Sequence, residues 1–232
     1  MTKTAVGVAA LVLLFGKIAL AGAQDAKESP YPTMAPIQQY RMAKQSEEVA
    51  LARSAAPASI STDAEVLVLG ERGYEVAVEG KNGFVCLVER SWLAAFDDPV
   101  FWNPSIRGPD CLNPAAVTSV LPMYLERTQW VLSGVSKTAM SARAKTSSVA
   151  QQAPAPGAMG YMMSKEGHLS DVDGHWHPHL MFFEPRTAVS AWGANLPGSP
   201  VFGHEGGLNE ATVLFIPVGN WSDGTSAAMN MP

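Results

Sequence analysis

Hydrophobic and polar positions fall into distinct regimes along the chain. Ala64–Leu69 reads as a strand, and Tyr74–Val78 alternates, with Tyr74, Val76 and Val78 inward and Glu75 and Glu79 outward. Phe84–Val88 is apolar on both faces, as in a central strand. Residues 70–73 and 80–83 separate the three, and the second turn holds Asn82-Gly83, a hairpin signal. The expectation is a three-stranded meander.

Helical spacing surrounds this block. Gln38 to Arg53 is rich in helix formers with a thin apolar stripe, and Ala56-Pro57 ends it. Residues 91–112 read as an aromatic-rich loop packed over the core, with Trp92, Phe96, Phe101 and Trp102 among prolines. Asn113-Pro114 then forms an N-cap followed by proline at the first helical position. Val117, Val120, Leu121, Tyr124, Leu125 and Leu132 make the stripe, Gly134 stops it, and Pro122 must kink or split it. Ser136 caps a further short helix to about Lys145.

The C-terminal third returns to extended patterns. Residues 146–157 are small and polar and read as a flexible segment. Beyond them lie Ala158–Ser164, a His-rich strand ending at Glu184, a short segment around Ala188–Gly193, and Ala211–Val218. Pro217 places itself at a strand end or edge. The fold class expected is α+β: a mostly antiparallel sheet of about six strands with helices packed on it. Strands from both sides of 146–157 share that sheet, giving one domain over 38–232.

Ahead of it, residues 24–37 carry three prolines and read as an extended leader. Residues 1–23 combine Lys3, an apolar run from Ala5 to Leu20, and Ala21-Gly22-Ala23, the pattern of a cleaved signal peptide. Periplasmic or secreted localisation is the expectation, with no membrane attachment after cleavage, the alternative being that the same apolar run is an uncleaved anchor. Cleavage removes Lys3 and Lys17 and leaves 14 basic against 21 acidic residues. So acidic a chain, without a basic run, offers nucleic acid no electrostatic footprint. In an oxidising compartment the two cysteines, Cys86 and Cys111, are candidates for a disulfide, the alternative being that Cys86 is a small buried hydrophobe.

The candidate chemistry sits in Gly174-His-Trp-His-Pro-His-Leu-Met-Phe-Phe-Glu184. On an extended strand His175, His177, His179, Met181 and Phe183 share one face. His177 and His179 stand about 7 Å apart at Cβ, close enough to converge on one ion, whereas a straight strand cannot bring His175 to it too. A further ligand comes from elsewhere, with His204 and Asp173 the main candidates beside His168 and Glu184. Neutral imidazoles with a carboxylate suit a divalent metal: zinc, manganese or iron, with copper conceivable for an exported chain. The same histidines equally fit a metal-free pocket or a hydrogen-bonded structural strand. The spacing from His177 through His179 to Glu184 partly resembles the cupin metal motif, but Asp171 stands where that motif has glycine and the strands are too few for a jelly roll. Nucleophile-elbow, zincin and phosphate-loop motifs are absent.

Residues 83–92, 161–164, 174–183 and 216–224 together resemble a group of secreted bacterial proteins with no assigned activity. That resemblance implies bacterial export and carries over no functional residue. Three functions are compatible with the sequence: binding of a small molecule or metal ion at the His-rich strand, metal-dependent hydrolysis or oxygenation, and a structural role with incidental histidines. Oligomeric state is not legible.

Overall fold

A computed structural model describes residues 30–171, 177–206 and 211–227. The expected signal peptide, the first part of the leader, His175 and Asp173 lie outside the described residues. The sheet has eight strands among those described: β1 (Glu65–Leu69), β2 (Tyr74–Val78), β3 (Val85–Glu89), β4 (Gly108–Leu112), β5 (Met159–Met162), β6 (His179–Glu184), β7 (Phe202–His204) and β8 (Thr212–Pro217). Their order is β2-β1-β3-β4-β5-β6-β8-β7, so strands from both sides of residues 146–157 pair within one sheet. Five helices accompany it: α1 (Gln45–Arg53), α2 (Ala58–Ser61), α3 (Pro114–Ser119), α4 (Leu121–Leu132) and α5 (Lys137–Ala144). None is long and apolar enough to cross a membrane among the described residues.

The α+β class holds, but the sheet is mixed and larger than expected. β3 does not fold back on β2. It passes to the far side of β1 and pairs with it in parallel, Glu65 opposite Val85. The Asn82-Gly83 turn is therefore a crossover past the start of β1 rather than a hairpin. Lys81 N donates to Asp63 O at 2.7 Å, Asn82 Nδ2 to Ile60 O at 2.7 Å, and Glu65 N to Phe84 O at 2.9 Å. Gly80 permits this passage, because a Cβ there would lie 2.3 Å from the Glu65 backbone nitrogen. With β1 inside, β2 becomes the sheet edge, and Val76, expected inward, is 49% exposed.

The two strands beyond the expected six are β4 and β7. β4 contains Pro109 and Asp110, poor strand residues by propensity. Pro109 is tolerated because β4 pairs with β5 only through Cys111 and Leu112, leaving its other end without a ladder to β5. Helix punctuation follows the expected chemistry. Asn113 Oδ1 accepts from Ala116 N at 2.9 Å, Ser136 Oγ caps α5, and Pro122 lies just beyond the break between α3 and α4. The stretch 146–157 is tied to the helices: Ser147 Oγ donates to Glu126 at 2.6 Å, and Ala155 N to Ser119 Oγ at 2.9 Å.

The sheet buries both faces. On one, α1 packs over β1, β3 and β4, and the layer is made of small side chains: Ala52, Ala55, Ala56, Ala64, Val66 and Val88. Cys86 and Cys111 face each other within it and form the disulfide, their Cα atoms 3.9 Å apart. Closing a loop of 25 residues contributes about 3.5 kcal/mol in the chain-entropy account. The other face carries Leu67, Leu87, Leu112, Met181 and Phe183 under Val120, Met123, Tyr124 and Val131.

Candidate functional site

The second face is not fully filled. Toward β6 and β8 it encloses a cavity of about 320 Å³, bounded on one side by His179, Met181 and Phe183 of β6 and Phe215 of β8. Alternation on β6 puts those three residues on one face, as the sequence pattern indicates. The opposite side is the end of β3, where Glu89 and Ser91 border the cavity together with Tyr124 of α4. Leu93, Ala94 and Val100 from the 91–106 loop roof it. Arg127 anchors that roof: its Nη2 donates to Ala94 O at 2.6 Å, and its guanidinium lies 3.9 Å from the Phe96 ring centroid.

Of the expected ligand set, the fold brings His179 and His204 to this cavity. Phe215 stands between β6 and β7, its ring 5.5 Å from each imidazole. His179 Nδ1 donates to the His177 carbonyl at 3.0 Å, which fixes the ring and leaves Nε2 as the acceptor of the neutral form. Burial lowers the pKa of both His179 and His204, so both stay neutral. His177 precedes the strand and does not line the cavity. Among the described residues no three His, Cys, Asp or Glu side chains are grouped to hold a metal ion, and His175 and Asp173 lie outside those residues. His168 instead pairs with Asp171 at 2.8 Å, which also accepts from Asn103 and Tyr31, and so ties together three segments of surface chain.

The chemistry that sequence reading missed is on β3 and β4. The register sets Leu87 opposite Asp110 and Glu89 opposite Gly108, so both acids project from the cavity face. Asp110 is fully buried. Two glycines make room for the pair. A Cβ on Gly160 would sit 2.3 Å from Asp110 Oδ1, and one on Gly108 would press on Leu169 at 2.8 Å and Glu89 Cβ at 3.4 Å. The carboxyls interact directly, and the Tyr124 hydroxyl reaches Glu89. Both Asp110 oxygens and Glu89 Oε1 are buried without a partner of regular hydrogen-bond geometry, and so is Ser91 Oγ.

Burial, then their mutual repulsion, holds the Asp110 carboxyl well above its ordinary range. Burial pushes Glu89 up to about 7 against the lowering effect of Tyr124 and Asp110. Burial and the adjacent Glu89 likewise raise Tyr124. A carboxyl pushed well above its ordinary range beside a cavity makes that cavity a candidate ligand site. One sequence signal pointed here: pairing Cys86 with Cys111 across neighbouring strands places Asp110 on the opposite, buried face beside Leu87.

No family model matches this chain, and no curated protein or solved structure matches it.

Proposed function

We propose that this is an exported bacterial protein that holds a small, mostly apolar molecule in the cavity between β3, β6 and β8. The single observation that carries the reading is the cavity itself: about 320 Å³, walled by Met181, Phe183, Val213 and Phe215, with a few polar groups at defined positions. Its size suits a molecule of one or two rings. Export is supported by the N-terminal segment with its small-residue cleavage pattern and by the buried Cys86–Cys111 disulfide. Binding to the sheet face, rather than metal coordination by the His row, is favoured because His179 and His204 meet around Phe215 and, among the described residues, share no point with a third ligand.

The test is titration of the periplasmic protein with the neutral dye N-phenylnaphthylamine, which fluoresces in apolar surroundings. Saturable binding at one site is expected in the wild type and should be lost in Met181→Trp, which fills the cavity. Absence of saturable binding, or full binding by a folded Met181→Trp protein, would remove the reading.

A further inference from the structure

The polar groups of the cavity are sorted by charge. Its acids are Glu89 and, at the roof, Asp98, with Asp110 buried directly behind Glu89. Its arginine, Arg90, is already engaged: Nη2 donates to Glu48 at 2.7 Å and Nε to Tyr40 O at 2.6 Å, and Nη1 donates to Val88 O. The two histidines are kept neutral by burial. The wall at the end of β3 thus offers acceptors without a counter-charge, opposite a wall of apolar and aromatic side chains. Ser91, only 2% exposed, borders the cavity two residues from Glu89 with its hydroxyl oxygen unpartnered. A buried hydroxyl left without a partner is costly unless something binds it.

We propose that the ligand is an amine: a small apolar body with one basic nitrogen, whose ammonium group is held by Glu89 and Ser91 while its rings lie against Met181, Phe183 and Phe215. This deepens the proposed function and rests on the cavity being a ligand site. An ammonium carries three donors and a positive charge, which fits a carboxylate and a hydroxyl that both border one largely apolar cavity. Asp110 acts as the positioning residue. Its carboxyl, raised by burial and by Glu89, interacts directly with Glu89 and so bears on when Glu89 gives up its proton. The charged form of Glu89 is disfavoured in the empty protein, so the incoming ammonium supplies the missing counter-charge and Glu89 releases its proton to solvent. Balance is simple: one proton leaves Glu89, one ammonium enters, and no bond in the ligand changes.

The groups facing Glu89 from the surrounding elements all bear on this exchange. They are Asp110 of β4, Tyr124 of α4, Tyr74 of β2, Asp98 of the roof, Arg90 beside it, and His179 and His204 across the cavity. Glu89 titrates at about 7, so affinity for an amine should rise as pH passes upward through that value. Affinity for a neutral molecule of the same shape should not.

Naphthylmethylamine and naphthylmethanol, equal in shape, separate the possibilities by isothermal titration calorimetry on the full mature protein. At about pH 8 the amine is expected to bind about tenfold or more tightly than the alcohol, the margin of a charge-assisted over a neutral hydrogen bond. At about pH 5.5, where Glu89 keeps its proton, the two should bind within about threefold of each other. Near pH 6, paired measurements in buffers of different ionisation enthalpy should show close to one proton released per amine and none per alcohol. Glu89→Gln should level the two ligands at every pH while still binding the alcohol, which shows that the cavity is intact. Equal binding of both molecules by the wild type at high pH overturns the amine assignment and leaves the cavity reading standing. So does an amine preference that survives in Glu89→Gln. Failure of both molecules to bind the wild type overturns the cavity reading and the amine with it.

Discussion

Residues 89 and 90 are neighbours in sequence and opposites in circumstance. Arg90 turns to the α1 side of the sheet, where Glu48 of α1 accepts from its Nη2 and also from Leu69 N at 3.0 Å. Both side chains of that pair are almost wholly buried, and each charge meets its complement. Glu89 turns to the α4 side and meets Asp110, a second acid, and burial together with that neighbour holds the Asp110 carboxyl well above its ordinary range. The same division runs through the layers around them. The α1 side is closed by alanines, valines and a disulfide, and the α4 side is left hollow beside its acids. One face of the sheet pairs opposite charges within the fold, and the other sets two acids together beside a cavity. On that difference rests our proposal of ligand chemistry for the second face, while the first serves stability.

The sharpest way to break the comparison is to remove the complement on the closed side. Glu48→Ala leaves the Arg90 guanidinium buried without its carboxylate and is expected to destabilise the protein by about 3–5 kcal/mol, read from urea unfolding. Replacing both partners, Glu48→Leu with Arg90→Met, should recover most of that loss, because an apolar pair of similar volume needs no counter-charge. If Glu48→Ala cost less than Glu89→Gln, the division between the two faces would be mistaken.

Across the sheet the sign reverses. The folded protein holds the Glu89 proton to about pH 7, whereas the unfolded chain releases it near the ordinary carboxyl value. The folded state therefore binds more protons between these limits, and stability falls as pH rises from about 4.5 to about 7, by about 3 kcal/mol. Asp110, raised in the same direction, adds to the fall. His179 and His204 act oppositely: with their pKa lowered by burial, they remove stability as pH drops below about 6.5. Stability against pH, measured by urea unfolding, should show a decline through neutrality that Glu89→Gln flattens. A wild-type profile that rises steadily from pH 5 to 8 would contradict the buried pair.

How far the sequence showed all this depends on range. Local chemistry was legible: the Asn113-Pro114 cap, the Ser136 cap, the Pro122 split, the limits of β2, and the shared face of His179, Met181 and Phe183. Each depends on residues within a turn or two of one another. The parallel pairing of β1 with β3 was not legible, because Asn82-Gly83 suits a crossover as well as a hairpin, and Gly80's clearance from Glu65 exists only once the strands are placed. β4 was hidden by Pro109 and Asp110, whose propensities oppose a strand and are overridden by pairing with β3. The acid pair was hidden for the same reason. Glu89 reads as the polar end of an apolar strand and Asp110 as a loop residue, and only the register that joins Cys86 to Cys111 sets them together. The histidines stand out because three lie in one short stretch, and among the described residues of that stretch His177 does not line the cavity while His179 does.

The smallest expected effect compares the packing of the two faces directly, by adding one methylene to each. Val88 is fully buried among α1-side residues with Cys86 and Cys111 nearby, and Val213 is almost as buried but lines the cavity. By exposure alone the two valines are equivalent. Packing distinguishes them, because an extra methylene at Val88 must displace small side chains and a disulfide already in contact, which costs about 1–3 kcal/mol. At Val213 the added carbon enters open volume and gains contacts it would otherwise lack, so Val213→Leu should lie within about 0.5 kcal/mol of the wild type. Val213→Leu should also weaken binding of N-phenylnaphthylamine by narrowing the cavity, while Val88→Leu should leave it unchanged in the folded fraction. Equal destabilisation by the two substitutions would mean that the α4 side closes as tightly as the α1 side, and the cavity would then have no room for a ligand.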